Sequence, residues 1–177
     1  MIVYVEKLHP SFSLPEYQTE YSACFDIAFQ TIEESVTVYA KSNFKTKTNV
    51  TSIGGNESLR NIAIMPGDRV MVPTGLKFKF SQRDAPRPEE YSIRIHARSG
   101  MALKSGLTLA NGSGIIDADY QEELFVPLVN NSSAIVHLLI GDRIAQGEII
   151  KNHLAEFRGV DKVTRFTDRA GGLVQQV

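Results

Sequence analysis

A single cysteine, Cys24, stands in the 177 residues. An intramolecular disulfide is therefore excluded, as is any zinc site built from four thiolates. No charge of one sign dominates, since 19 Lys and Arg meet 20 Asp and Glu for a formal net charge of -1. Without a global basic field, nothing in this balance recruits nucleic acid or an anionic membrane. Any phosphate contact must come from a local cluster. Long apolar runs are missing too: the opening Met1 to Val5 is cut short by Glu6 and Lys7, too soon for a signal-peptide core or a membrane span. These absences predict a cytoplasmic protein with no membrane and no nucleic-acid partner. There is no internal repeat, and the length fits one domain with a substantial core.

What is present reads as short strands punctuated by turns. Leu76-Lys77-Phe78-Lys79-Phe80 alternates apolar and cationic residues, and Ser92-Ile93-Arg94-Ile95-His96-Ala97 repeats the period of two that marks a half-buried strand. Residues 3–5, 36–39, 124–129, 135–140 and 143–150 extend the list, with Pro66-Gly67-Asp68, Pro73-Thr74-Gly75, Asn130-Asn131 and Gly141-Asp142 as turns. Only residues 99–104 and, more weakly, 150–157 suggest helix. The pattern predicts an all-β fold: a sandwich, jelly roll or barrel. Residues 41–60 form a polar segment, a surface excursion or small hairpin around Gly54-Gly55-Asn56, and 81–90 reads as a solvated loop. The expected domain is 1–157, followed by a flexible arm over 158–177.

Chemistry concentrates between Ala97 and Tyr120. Arg98-Ser99-Gly100 follows a strand and opens a helical turn, so a guanidinium, a hydroxyl and free amides converge as an anion site. The same tripeptide is also compatible with an ordinary N-capped turn and a solvated arginine. In Asn111-Gly112-Ser113-Gly114-Ile115-Ile116-Asp117-Ala118-Asp119-Tyr120, glycines allow tight turning and close approach to a ligand, while a plain hairpin with exposed carboxylates is the rival reading. Gln146 is a polar residue inside an apolar strand. It serves either a ligand or a neighbouring backbone group. His96 and His137 fall in strand patterns and read as strand residues rather than ligands.

Taken in order, Ala23-Cys24-Phe25-Asp26-Ile27, Arg98-Ser99-Gly100, Asn111 with Gly114 to Tyr120, and Gly141-Asp142-Arg143-Ile144-Ala145-Gln146 resemble the motifs of the homotrimeric dUTPase family. Thr167-Asp168-Arg169 with Gly171-Gly172 is similar to the start of a fifth motif. The resemblance implies a jelly-roll-like β barrel with one short helix after the Arg-Ser-Gly motif, three sites shared among three subunits, and hydrolysis of dUTP to dUMP and diphosphate with Mg²⁺. It implies that Asp117 binds the sugar 3'-hydroxyl and activates the attacking water, and that Asp26 meets the metal through its water shell. Tyr120 would pack under the deoxyribose, and Asn111 with the backbone through Gly114, Ile115 and Ile116 would pair with uracil. Phe125 would add a main-chain contact. Arg98, Ser99, Gly100 and Gln146 would hold phosphates, and Arg169 would close over the γ-phosphate.

Several positions depart from that pattern. Ala97 stands in place of a usual proline, Cys24 in place of a glycine, and Glu122 in place of a turn glycine. The arm ends Gly171-Gly172-Leu173-Val174-Gln175-Gln176-Val177 without the family's aromatic residue, and leucine does not stack as an aromatic ring does. That departure keeps a second expectation open, a nucleotide-binding or regulatory homologue with weak or no turnover. A third is the related dCTP deaminase, with Glu122 or Glu123 as proton shuttle.

Overall fold

Alternation of apolar and polar residues turns into antiparallel pairing along most of the chain. The computed structural model describes residues 1–81 and 87–163. The first strands are β1 (Val3–Lys7), β2 (Phe25–Ala28), β3 (Ser35–Tyr39), β4 (Lys45–Asn49), β5 (Thr51–Ile53) and β6 (Asn56–Ile64). Next come β7 (Arg69–Pro73), β8 (Leu76–Phe80) and β9 (Tyr91–Ala97), then the helix α1 (Ser99–Ser105). The last are β10 (Leu107–Leu109), β11 (Gly114–Asp117), β12 (Phe125–Asn130), β13 (Val136–Leu139) and β14 (Arg143–Lys151).

Two sheets carry most of the structure, one ordered β10-β12-β7-β3-β4 and the other β11-β9-β14-β2. Smaller pairings join β1 to β8, and β13 to β6 and β5. Every strand pairing among the described residues is antiparallel. The result is the all-β fold that the strand pattern predicts, in the jelly-roll-like form with one short α-helix that the family resemblance implies.

One apolar cluster lies between the sheets. Val70, Val72, Val126 and Leu128 come from one side, and Phe25, Ile27, Ile93, Ile95 and Ile144 from the other. Each such side chain contributes about 1.5–3 kcal/mol by leaving water, before the entropy of ordering it is subtracted. Because Phe25, Ile27, Ile93, Ile95 and Gly147 point inward, the intervening Asp26, Arg94, His96, Gln146 and Glu148 share the opposite face of the β9-β14-β2 sheet. That polar face positions the site.

One local expectation changes, while the small hairpin expected around Gly54-Gly55-Asn56 forms as β5 pairs with β6. The tentative helix over 150–157 does not form: Ile150 and Lys151 finish β14, paired with Ser92 and Tyr91, and residues 152–157 carry no regular element. Pairing to β9 satisfies backbone groups that a helix would have to satisfy alone. The segment 41–60 is largely strand. Its Lys45-Thr46-Lys47-Thr48 run adds β4 to the edge of a sheet, where β-branched threonines suit the pleat and lysines discourage further pairing. Of the loop at 81–90, residues 82–86 lie outside the described residues.

Candidate active site

Asp26 is a charged group almost without solvent, only 6% exposed, so its carboxylate needs partners to offset desolvation. The β2–β14 register sets Gln146 opposite it, and Gln146 Nε2 donates to Asp26 Oδ1 at 3.4 Å. A register shift falls between Arg143 and Ala145, and Arg143 reaches Asp26 on the polar face. Its Nη1 donates to Asp26 Oδ2 at 2.9 Å and to Gln18 Oε1 at 2.7 Å. From the end of β9, Arg98 Nε reaches Asp26 Oδ1 at 3.2 Å, while Arg98 Nη1 donates to the Arg143 carbonyl at 2.9 Å. Two guanidiniums on one carboxylate leave one positive charge uncompensated. The Arg98 and Arg143 side chains are 26% and 47% exposed, so that surplus faces solvent.

Arg98 also occupies the N-cap position of α1, in extended conformation and with no side chain capping the helix. The reading of Arg98-Ser99-Gly100 as a simple N-capped turn therefore fails. Ser99 and Gly100 are exposed, and first-turn amides have no partner within a helix.

The second group of expected site residues lies on the turn after β10, on β11, which pairs with β9, and on the turn that follows it. Asn111 is exposed in its turn, and its carbonyl accepts from the Ser113 amide at 2.8 Å. Gly114 is buried against β9, where a Cβ would meet the Cβ of Ile95 at 2.9 Å, so β11 lies closer to β9 than a larger residue there would permit. Ile115 faces outward and Ile116 packs against the core. Asp117, exposed at the end of β11, pairs with Ser92. Its carbonyl accepts from the Tyr120 amide at 3.1 Å, and the Tyr120 hydroxyl donates to the Glu123 carbonyl at 2.9 Å. The turn thus holds the half-exposed Tyr120 ring at both ends.

These two groups do not meet within one chain. Asp117 pairs with Ser92 on one side of the sheet, whereas Asp26 reaches His96 through Gln146 on the other. Three interstrand steps of about 4.8 Å and four residues of about 3.3 Å place the carboxylates roughly 20 Å apart along the sheet. Phe125 opens β12, and its side chain lines a different cavity with Gln30, Val36 and Met71. Arg169 lies outside the described residues.

Two ionisable groups nearby are perturbed. Burial pushes the Glu123 carboxyl above its ordinary range, although its Oε1 accepts from the Gly75 amide at 2.8 Å. That contact commits Glu123 to the loop before β8 rather than to proton transfer. Burial also raises the Cys24 thiol, helped by the carboxylates of Glu148 and Asp26. Sequence reasoning missed Arg143 and Gln18 as partners of Asp26. The Gly141-Asp142-Arg143 turn signal drew attention to backbone geometry, and nothing local in the sequence ties residue 18 to residue 143.

Comparison with known proteins identifies the family. A family model described as dUTPase matches residues 57–173, a span that includes Arg98, Asp117 and Gln146. The deoxyuridine 5'-triphosphate nucleotidohydrolase of Wolinella succinogenes is 30% identical over 166 residues, covering 94% of this chain and 87% of the relative. Among solved structures, the dUTPase of Streptococcus mutans superposes with a TM-score of 0.59 at 22% identity, covering 86% of this chain and 98% of that one. The dUTPase from phage phi11 of Staphylococcus aureus gives 0.66 at 17% identity, covering 94% of this chain and 100% of that one. At those identities the structures speak for the fold alone, while the family model and the Wolinella relative settle the assignment: the chain belongs to the dUTPase family.

Proposed function

We propose that the chain hydrolyses dUTP to dUMP and diphosphate at sites assembled between copies of itself. The observation that carries this reading is the surplus guanidinium charge around Asp26, held roughly 20 Å from Asp117 at the end of β11. A cationic cluster suits a polyphosphate. A general base must lie within hydrogen-bond reach of the proton it takes, so a second copy must bring its Asp117 to the first copy's arginines. A closed trimer supplies three such sites.

In this mechanism Asp117 accepts a proton from the water that attacks the α-phosphorus. A new P–O bond forms as the bond to the bridging α–β oxygen breaks, and diphosphate leaves with that oxygen. Arg98, Gln146 and the exposed amides at Ser99 and Gly100 bind phosphate oxygens. Asn111 and the backbone at Ile115 and Ile116 pair with uracil. Tyr120, tied down through its hydroxyl, packs under the sugar where a 2'-hydroxyl would otherwise fit.

Both Asp26 oxygens already accept from arginines and Gln146. That donor set fits Mg²⁺ only as a hydrated ion arriving with the triphosphate, with Asp26 facing its water shell. Bound there, Mg²⁺ would neutralise phosphate charge. The phage phi11 dUTPase coordinates a structural Mg(II) ion, which supports a place for magnesium in the family.

Diphosphate release across the deoxynucleoside triphosphates tests the proposal. dUTP should be turned over in preference to dCTP and dTTP, and Asp117→Asn should lower kcat by at least about a hundredfold, the lower range for a positioned base. Near-parental kcat in that variant would remove Asp117 from the mechanism. Release from dUTP, dCTP and dTTP alike would overturn the uracil pocket.

A further inference from the structure

The polar face that carries Asp26 holds a second constellation one step along the same strands. We propose that Cys24, His96 and Glu148 bind a thiophilic divalent transition-metal ion of the zinc class. This site adjoins the residues assigned to the nucleotide but uses none of them, and it does not depend on the reading above.

The strands bring these residues together by register. Phe25 lies opposite Gly147, so Cys24, one residue before β2, falls beside Glu148. His96 pairs with Gln146, and Glu148 with Arg94, which makes His96 and Glu148 diagonal neighbours across two strands. His96 Nε2 and Glu148 Oε2 are 3.1 Å apart, and one ligand atom from each of the three residues lies within 4.8 Å of the others. Among the described residues no other group of three or more such side chains meets that condition. A tetrahedral zinc ion with bonds of about 2.0–2.3 Å separates its ligand atoms by about 3.3–3.8 Å. Small side-chain rotations close the remaining gap.

The donor chemistry is selective. Sulfur, imidazole nitrogen and one carboxylate oxygen suit Zn²⁺ or Co²⁺ and suit Mg²⁺ poorly, since magnesium takes oxygen ligands. No hydrogen bond from Cys24 Sγ or His96 Nδ1 to another described residue competes with coordination. All three side chains are partly exposed, so an ion can enter and keep one position for water, as three-ligand zinc sites do. On binding, a metal–sulfur bond replaces the thiol S–H bond, and the proton leaves to solvent. The ion would tie β2, β14 and β9 together immediately beside Asp26 and Gln146.

The test uses the full chain, stripped with a chelator and titrated with Co²⁺, then with Zn²⁺ as competitor. One equivalent of Co²⁺ per chain should produce a thiolate-to-cobalt charge-transfer band and the visible spectrum of a tetrahedral ion, both erased by Zn²⁺. Cys24→Ser should remove the charge-transfer band. His96→Gln and Glu148→Gln should each weaken binding by more than about tenfold, since loss of even an outer-shell partner costs that much. In the unsubstituted protein, saturating Zn²⁺ but not Mg²⁺ should protect the sole cysteine from alkylation, a readout that needs no variant to fold. Absence of the band, its persistence in Cys24→Ser, or alkylation indifferent to Zn²⁺ would each reduce the cluster to a His–Glu ion pair beside a bystander thiol and overturn the proposal.

Discussion

Glu123 shows how a single ionisable residue can act against the fold at neutral pH. Its carboxyl is pushed up chiefly by burial, while backbone bonds from Gly75 and Thr74 only partly offset that cost. A raised carboxyl gives its full stability below the unfolded-state value, where both states are protonated. That contribution is lost as pH rises through the folded-state value, because the unfolded chain ionises first. Glu123→Gln keeps an oxygen to accept from the Gly75 amide and carries no charge. Its urea midpoint should match or exceed that of the parent at about pH 8, and the advantage should shrink at about pH 4. A variant less stable than the parent at the higher pH alone would show that the ionised form is the stabilising one.

At the scale of elements, the site depends on how closely β2 and β14 approach. Gly147 is opposite Phe25, and a Cβ there would stand 2.4 Å from two ring carbons. The ring has little room to yield: Tyr17 meets it edge-on at 5.8 Å and Phe78 stacks at 6.3 Å. Gly147→Ala should cost about 1–3 kcal/mol, the usual range for overpacking a filled core. Because β2 also carries Asp26, nucleotide affinity should fall along with stability. Chemical denaturation and dUTP binding measured on the same variant check both effects. An unchanged midpoint would mean that β2 shifts without loss, and the tight approach would then have no structural role.

For the whole molecule, the proposed mechanism makes assembly a condition of catalysis, because it needs Asp117 and the arginines at one site. Asp117→Asn and Arg98→Ala copies should each be nearly inactive alone. Refolded together in equal amounts, they should recover on the order of a quarter of the parental rate, since a randomly mixed closed assembly pairs two intact contributions at that frequency. Activity no greater than the sum of the separate variants would place the complete site within one chain.

Much of this was legible in the residues themselves. The alternation at 76–80 and 92–97 became β8 and most of β9, and the Arg98-Ser99-Gly100 turn became the start of α1. Both are local patterns, governed by backbone period and by side chains a few positions apart. The ordered motifs likewise point to the family without any tertiary information. Sequence alone did not foretell that Asp26 would be held by Arg98, Arg143 and Gln146, or that Arg143 would reach Gln18 across 125 positions. It also read His96 as a plain strand residue, although register sets it beside Glu148 and Cys24. Those outcomes depend on which strands pair and on the shift between Arg143 and Ala145. A register displaced by one residue would send each of these side chains to the opposite face. Pairing between distant strands is fixed by the whole core as it packs, so only the tertiary structure decided it.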